Sequence, residues 1–221
     1  MKKSFIVIGL GRFGASVAQA LSNLNCDILG MDISEECVSD IARDLEHCVI
    51  ADSRKLATLK ELGVASIDHA VVAIGNNLEA SILTTMNLKA LGVKNITVRS
   101  DSVSYKEIFE RLGATEVIIP EEESALSLAN QIASDAILDY YPIDKDYAIV
   151  QIQVGSKFPS QTLIDLNLRN KFDVNIVGII HNDKFYIPRG TDYLEPLDIM
   201  VLVGTKQKIR KVDAFINQEK K

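Results

Sequence analysis

The chain has 221 residues, 24 Lys and Arg against 30 Asp and Glu, a formal net charge of −6, 47% hydrophobic and 24% charged residues. That length holds one large or two small domains with a real core, in a composition ordinary for a soluble globular protein. The acidic balance argues against a nucleic-acid partner; no apolar run approaches the roughly 18 residues of a membrane span, and Met1-Lys2-Lys3-Ser4 leads straight into a strand rather than a targeting segment.

A first strand over Phe5–Ile8 runs into Gly9-Leu10-Gly11-Arg12-Phe13-Gly14, a G-x-G-x-x-G turn opening an amphipathic helix. Gly9 permits the tight turn, Gly11 lets backbone approach a pyrophosphate, and Gly14 lets helix and strand pack closely. The helix then aims free N–H groups and its positive dipole end at the phosphate. A second strand, Ile28–Met31, ends in Asp32, placed to accept hydrogen bonds from ribose hydroxyls. Ile33, Ser34, Glu35 and Glu36 follow with no arginine for a 2′-phosphate, which favours NAD, ADP or ATP over NADP. Cys26, Cys37 and Cys48 are odd in number and sit in apolar patterns, as reduced cytosolic cysteines do. His47 and Cys48 are adjacent on a strand and point to opposite faces, so zinc is discarded.

Further apolar runs at Cys48–Ala51, Ala70–Ile74, Ile96–Val98 and Val117–Ile119 alternate with amphipathic segments. Three helices stop at Gly63, Gly92 and Gly113, each suited to the left-handed position past a helix. The pattern predicts an α/β fold, a Rossmann-type doubly wound parallel sheet of about six strands with right-handed crossovers. Ligands of such sheets bind at the carboxyl edge. There Asp52-Ser53 follows the third strand, and Asp52 either accepts an adenine amine or caps the next helix. Ile74-Gly75-Asn76-Asn77 follows the fourth: Gly75 permits close backbone approach, Asn76 offers amide hydrogen bonds and Asn77 reads as a helix cap. Arg12, inside the glycine turn, is either a solvated surface arginine or a clamp for a terminal phosphate.

Pro120 closes the sixth strand, and Glu121 to Leu138 reads as a long helix with Ala125, Leu128, Ile132 and Ala136 at helical spacing. Residues 140–144 read as a linker. Strands at Ala148–Val154, Asn175–His181, Lys184–Ile187 and Ile199–Val203 follow, with a short helix over 163–169 and a terminal one over Lys206–Asn217. The expected organisation is a nucleotide-binding domain over 1–120, a crossover helix and linker over 121–140, and a small α+β lobe over 141–221. So small a lobe has limited core, which predicts pairing with a second copy.

An enzyme would need a positioned acid or base over the cofactor. His47 and His69 lie beside strand starts, on the wrong edge of a Rossmann sheet, and His181 has no obvious acidic partner in sequence. With no nucleophile elbow, phosphate-cleaving lysine motif or metal cluster, binding without turnover is the expectation. A small NAD-dependent oxidoreductase is the enzymatic alternative; an NADH-responsive repressor is disfavoured by the lack of a basic recognition helix.

These residues together resemble the RCK/KTN (regulator of potassium conductance) family, specifically its Ktr-type cytosolic regulatory subunits. The resemblance spans essentially the whole chain through Gly9–Gly14, Met31-Asp32-Ile33, Ala73-Ile74-Gly75, Glu79-Ala80-Ser81, Leu112-Gly113-Ala114 and Ile119-Pro120-Glu121. It implies homodimers assembled into an octameric ring under a potassium-translocating integral membrane subunit, hence a cytoplasmic protein peripheral to the membrane. It implies ATP and ADP competing for one site: Arg12 at the terminal phosphate, Asp32 at the ribose, Asp52 and Ser53 flanking the adenine, Gly75 and Asn76 lining the pocket, with Phe13, Ile33, Ser34 and Ile74 also among the nucleotide-binding residues. The fifth strand's end, Arg99-Ser100-Asp101, would also approach the nucleotide; relatives often carry lysine there. Glu121 matches a position that can hold a divalent or sodium cation between subunits, although acids at a helix start also favour the dipole. The small lobe resembles a module that binds cyclic di-AMP, which would place Arg169 on phosphate, Asn175, His181 and Pro188 in the same cleft, and Ile164 and Ile176 as apolar walls; both isoleucines also read as core, and His181 as a solvated strand end.

Overall fold

The computed structural model describes residues 2–134 and 136–217; residue 1 and residues 218–221, the extreme ends of the expected first and last segments, lie outside the described residues. The chain divides into two compact units, Met1–Glu121 and Glu122–Lys221. In the first, β1 (Ser4–Ile8), α1 (Arg12–Asn23), β2 (Asp27–Asp32), α2 (Glu35–Ile41), β3 (His47–Ile50), α3 (Leu56–Glu61), β4 (His69–Val72), α4 (Leu78–Ala90), β5 (Asn95–Arg99), α5 (Lys106–Leu112) and β6 (Glu116–Ile118) alternate strictly. The strands form one parallel sheet in the order β3-β2-β1-β4-β5-β6.

Strand periodicity explains the two-sided core. Ile6 and Ile8 pack with Val72, Leu88, Ile96, Val98 and Phe109 on one face, whereas Val7, between them, packs with Ala18, Ile28, Val38 and Val71 on the other. Gly63, Gly92 and Gly113 take φ of +69°, +81° and +113°, stopping α3, α4 and α5 as their sequence positions predict.

α6 (Pro120–Ile132) begins on a proline, whose missing N–H costs nothing in a first turn. It is shorter than expected. It ends at Ile132, and β7 (Ile137–Pro142) occupies the stretch read as helix end and linker, residue 135 lying outside the described residues. No residue of α6 is buried, and Leu128 and Ile132 stay 56% and 75% exposed. In the strand that replaces the linker, Tyr140 is buried in the second unit's core.

The second unit continues with β8 (Tyr147–Gln153), β9 (Gln161–Thr162), α7 (Leu163–Leu166), α8 (Leu168–Phe172), β10 (Asn175–His181), β11 (Lys184–Tyr186), β12 (Tyr193–Leu194), β13 (Ile199–Thr205) and α9 (Lys206–Asn217). Its antiparallel sheet runs β11-β10-β13-β8-β7, with β9 and β12 paired apart. Ala148, Val150 and Ile152 alternate inward on β8 as Met200 and Leu202 do on β13, and the i, i+3, i+7 series Ile209, Val212, Ile216 of α9 packs into the same cluster. The single helix expected over 163–169 is two, because Asn167 takes φ of +52° between α7 and α8. No helix of the described residues is long and apolar enough to cross a membrane.

Truncating Phe109, 1% exposed at the centre of its face, removes an aromatic ring from a close-packed core. Phe109→Ala should cost about 3–5 kcal/mol, read as a lower urea midpoint with an unchanged slope.

Candidate functional site

The parallel sheet reverses strand order between β1 and β4, and a cavity of about 810 Å³ opens there at the carboxyl edge. Gly9 turns the chain with φ of +93°, where a Cβ would lie 2.8 Å from the Ala73 carbonyl carbon. A Cβ on Gly14 would overlap the Gly9 carbonyl oxygen, so α1 reaches the turn only through that glycine. At Gly11 a Cβ would meet nothing within 4 Å: the third role is open space on the cavity side. The tight turn at Gly9 and the close packing at Gly14 are thus as their spacing assigns.

Asp32, at the end of β2, clasps the turn. Its Oδ2 accepts from the Leu10 backbone N–H at 2.6 Å and its Oδ1 from the Ser34 N–H at 2.8 Å. A carboxylate has about four acceptor sites, so lone pairs remain for a ribose. The exposed Ile33 beside it offers an apolar wall.

Gly9, Gly11, Arg12, Phe13, Asp32, Ile33, Asp52, Ser53, Ile74, Gly75, Asn76, Arg99 and Glu121 all line this cavity. Four expected residues do not. Gly14 lies beneath the turn, and the Ser34 hydroxyl accepts from the Cys37 N–H to cap α2. Ser100 is buried with its hydroxyl on the Ser102 carbonyl, and Asp101 turns to Arg99 at 3.4 Å.

The capping reading of Asp52 gives way to an ion pair, while its carboxylate stays in the cavity lining. Lys55 occupies the cap position of α3, and Arg54 takes the carboxylate through Nε and Nη2, each at 2.9 Å, holding Asp52 below the usual carboxylate range. Arg54 itself lines the cavity, an arginine that scanning after β2 missed because it follows β3. Its signal was the Asp-x-Arg spacing, short enough for a local ion pair. Ser53 turns its hydroxyl to Thr84 at 2.6 Å, and the Asn87 amide donates to the Ser53 and Arg54 carbonyls, fixing this loop to α4. Asn77 does cap α4, accepting from the Ala80 N–H at 2.9 Å. Cys37, half-buried, also lines the cavity.

At the glycine turn Arg12 is exposed, and among the described residues its guanidinium has no hydrogen-bond or ion-pair partner. Arg99 is its opposite: 18% exposed, with Nη2 on Glu121 at 2.5 Å and its guanidinium 5.7 Å from the Phe13 ring centroid. Gly75 makes room for this side chain, since a Cβ there would overlap Arg99 Nη1. Glu121 is held below the usual carboxylate range by its own backbone N–H and then by Arg99. No group of three or more His, Cys, Asp or Glu among the described residues could hold a metal ion, so Glu121 belongs to no such cluster within this chain.

In the second unit a cavity of about 440 Å³ brings together Ile164, Arg169, Asn175, Ile176 and Pro188, as expected, and adds Asn167, Asn170 and Arg189. His181 is not there. Its Nδ1 pairs with the buried Asp198 at 2.7 Å, a partner seventeen residues away that only the β10–β13 pairing supplies. Asp198 raises the His181 pKa.

Families with TrkA-N and TrkA-C domains match residues 5–120 and 147–217. The Ktr system potassium uptake protein C of Bacillus subtilis (strain 168) is 38% identical over 214 residues, covering 96% of this chain and 97% of that protein. The Ktr system potassium uptake protein A of the same organism is 34% identical over 212 residues, 96% of each. Among solved structures, the GsuK RCK domain superposes with a TM-score of 0.67 at 15% identity, covering 99% of this chain and 48% of that one. The GsuK channel bound to NAD gives 0.69 at 14%, covering 99% and 40%. The chain spans about half or less of those channel chains, and at such identity the likeness concerns the fold.

Two outcomes follow from these contacts. Gly14→Ala should destabilise the first unit by more than the ordinary Gly→Ala difference of about 1 kcal/mol, because backbone must move; unchanged thermal unfolding would overturn the close-packing role. Because Asp198 raises the folded pKa of His181, their pair stabilises fully below the unfolded value of about 6.5 and loses that contribution as pH rises through the higher folded value. His181→Gln should therefore flatten the decline of the urea midpoint as pH rises above about 6.5.

Proposed function

This chain belongs to the family of Ktr-type potassium-uptake regulatory subunits that join a TrkA-N to a TrkA-C domain, and from that premise we propose that it is a non-enzymatic sensor of adenine nucleotides. ATP and ADP compete for the 810 Å³ cavity, and the exchange alters a ring assembly that gates a potassium-translocating membrane subunit at the cytoplasmic face of the membrane. The observation that carries this reading is Arg12: a permanently charged, unpartnered guanidinium in the lining of a cavity that also holds the Asp32 carboxylate.

A ligand shifts a conformational equilibrium only by the difference in its affinity for the two states. ATP and ADP share base and ribose, so the energy that separates them comes from the terminal phosphate and the cations it meets, Arg12 first. Asp32 has a double duty: it holds the turn through the Leu10 N–H and accepts from the ribose with its remaining lone pairs. Ile33 flanks the base, and the Asp52–Arg54 pair closes that end. A cation bridging phosphates and Glu121 would need ligands from a second copy of the chain, which accords with an assembly of dimers, an octamer in the full ring.

The second cavity fits cyclic di-AMP. Arg169 and Arg189 supply two cations for two phosphates, the three asparagines Asn167, Asn170 and Asn175 offer amides, and Ile164 and Ile176 provide apolar walls. NAD remains the competing occupant of the first cavity, since the channel of like fold carries it. A dehydrogenase built on NAD would need a proton donor or acceptor over the nicotinamide, and no histidine is among the cavity's lining residues.

Calorimetric titration of the full chain with ATP, ADP, NADH and cyclic di-AMP, with scattering mass in each state, tests the reading. Arg12→Ala should weaken ATP by about tenfold or more and ADP much less; equal losses remove Arg12 from the terminal phosphate. A monomer indifferent to ATP and ADP overturns the sensor. Arg169→Ala should weaken cyclic di-AMP alone, leaving ATP affinity unchanged.

A further inference from the structure

Arg99 is committed to partners within the chain. Its guanidinium threads over Gly75, lies on the Phe13 ring, and places Nη2 on Glu121 at 2.5 Å with Asp101 at 3.4 Å. Its Nε is buried and has no hydrogen-bond partner. An arginine prefers to satisfy all five N–H groups, so this guanidinium keeps an unmet demand while sitting in the cavity wall. Glu121 is its best partner, and Glu121 is the second residue of α6, the helix that carries the chain out of the nucleotide unit.

We propose that Arg99 is a displaceable latch: its guanidinium pairs with Glu121, and a nucleotide phosphate in the cavity competes for it and draws it off that carboxylate, releasing the first turn of α6. The inference rests on the nucleotide reading of the cavity. Two anions, Glu121 and a phosphate, compete for one planar donor that forms charge-assisted bonds with only one of them in its best geometry. The energy of breaking the old pair is subtracted from the affinity for the new one, so Glu121 lowers nucleotide affinity through Arg99. Phosphate occupancy thereby reaches α6 by loss of a contact at Glu121, a residue of the cavity lining itself. Asp101, also on Nη2, steadies the guanidinium in the latched position.

A double-mutant cycle on the full chain decides it, with ATP and ADP titrated calorimetrically in chelator-treated buffer. Glu121→Gln keeps the side-chain shape, removes the competing charge, and should tighten both nucleotides by about fivefold to tenfold. Arg99→Gln should weaken them, and in that background Glu121→Gln should change affinity by less than twofold. Tightening that persists without Arg99 reports simple repulsion between carboxylate and phosphate, and overturns the latch while nucleotide binding stands. Glu121→Gln that leaves affinity unchanged or weakens it, in protein that still binds nucleotide, overturns the latch as well. Failure of the unmodified protein to bind any nucleotide removes the nucleotide reading itself, and the latch with it. Equal far-ultraviolet circular dichroism for all four proteins excludes misfolding as the source of a lost affinity.

Discussion

The hydrogen bond from the Leu10 N–H to Asp32 Oδ2, at 2.6 Å, governs the first unit's chemistry. β1 and β2 run in register from Ser4 opposite Asp27 to Ile8 opposite Met31, so Asp32 emerges just where the glycine turn leaves the sheet. The carboxylate then fixes both that turn and the start of α2 through two backbone amides. With the turn fixed, α1 begins at Arg12 and its free N–H groups face the cavity.

The charge distribution around the cavity is uneven, and that unevenness gives the site its character. At one end Arg54 and Asp52 neutralise each other through two 2.9 Å contacts. At the other, Arg12 stands free while Arg99 is shared between two carboxylates and an aromatic face. A neutral end suits a base; an end with uncommitted positive charge suits phosphate. The second unit repeats the preference on a smaller scale, with Arg169 and Arg189 opposite apolar walls.

Much of this was legible in the sequence. Glycine spacing, Asp32, the three glycine helix stops and the alternating strands fixed a parallel sheet and the cavity's position, because those signals act over a few residues. The misreadings have one origin. Helical spacing over 121–138 described a stretch that is part helix and part strand, and Tyr140 is buried by β8, a neighbour that periodicity does not see. His181 looked unpaired because Asp198 is brought to it by strand pairing alone, and it looked like a cleft residue because β10 also carries Asn175 and Ile176, which are.

The sequence by itself determined the fold class, the family and the ends of the strands that carry the site, since backbone geometry and local hydrophobic period are written in short stretches. Tertiary structure alone decided which charges are free. Arg12, Arg54 and Arg99 are equally cationic in the sequence, yet one is open to a ligand, one is tied to Asp52, and one is drawn across Gly75 to Glu121. That sorting depends on distances between residues far apart in the chain, and electrostatic pairing falls off too steeply with distance for sequence spacing to foretell it.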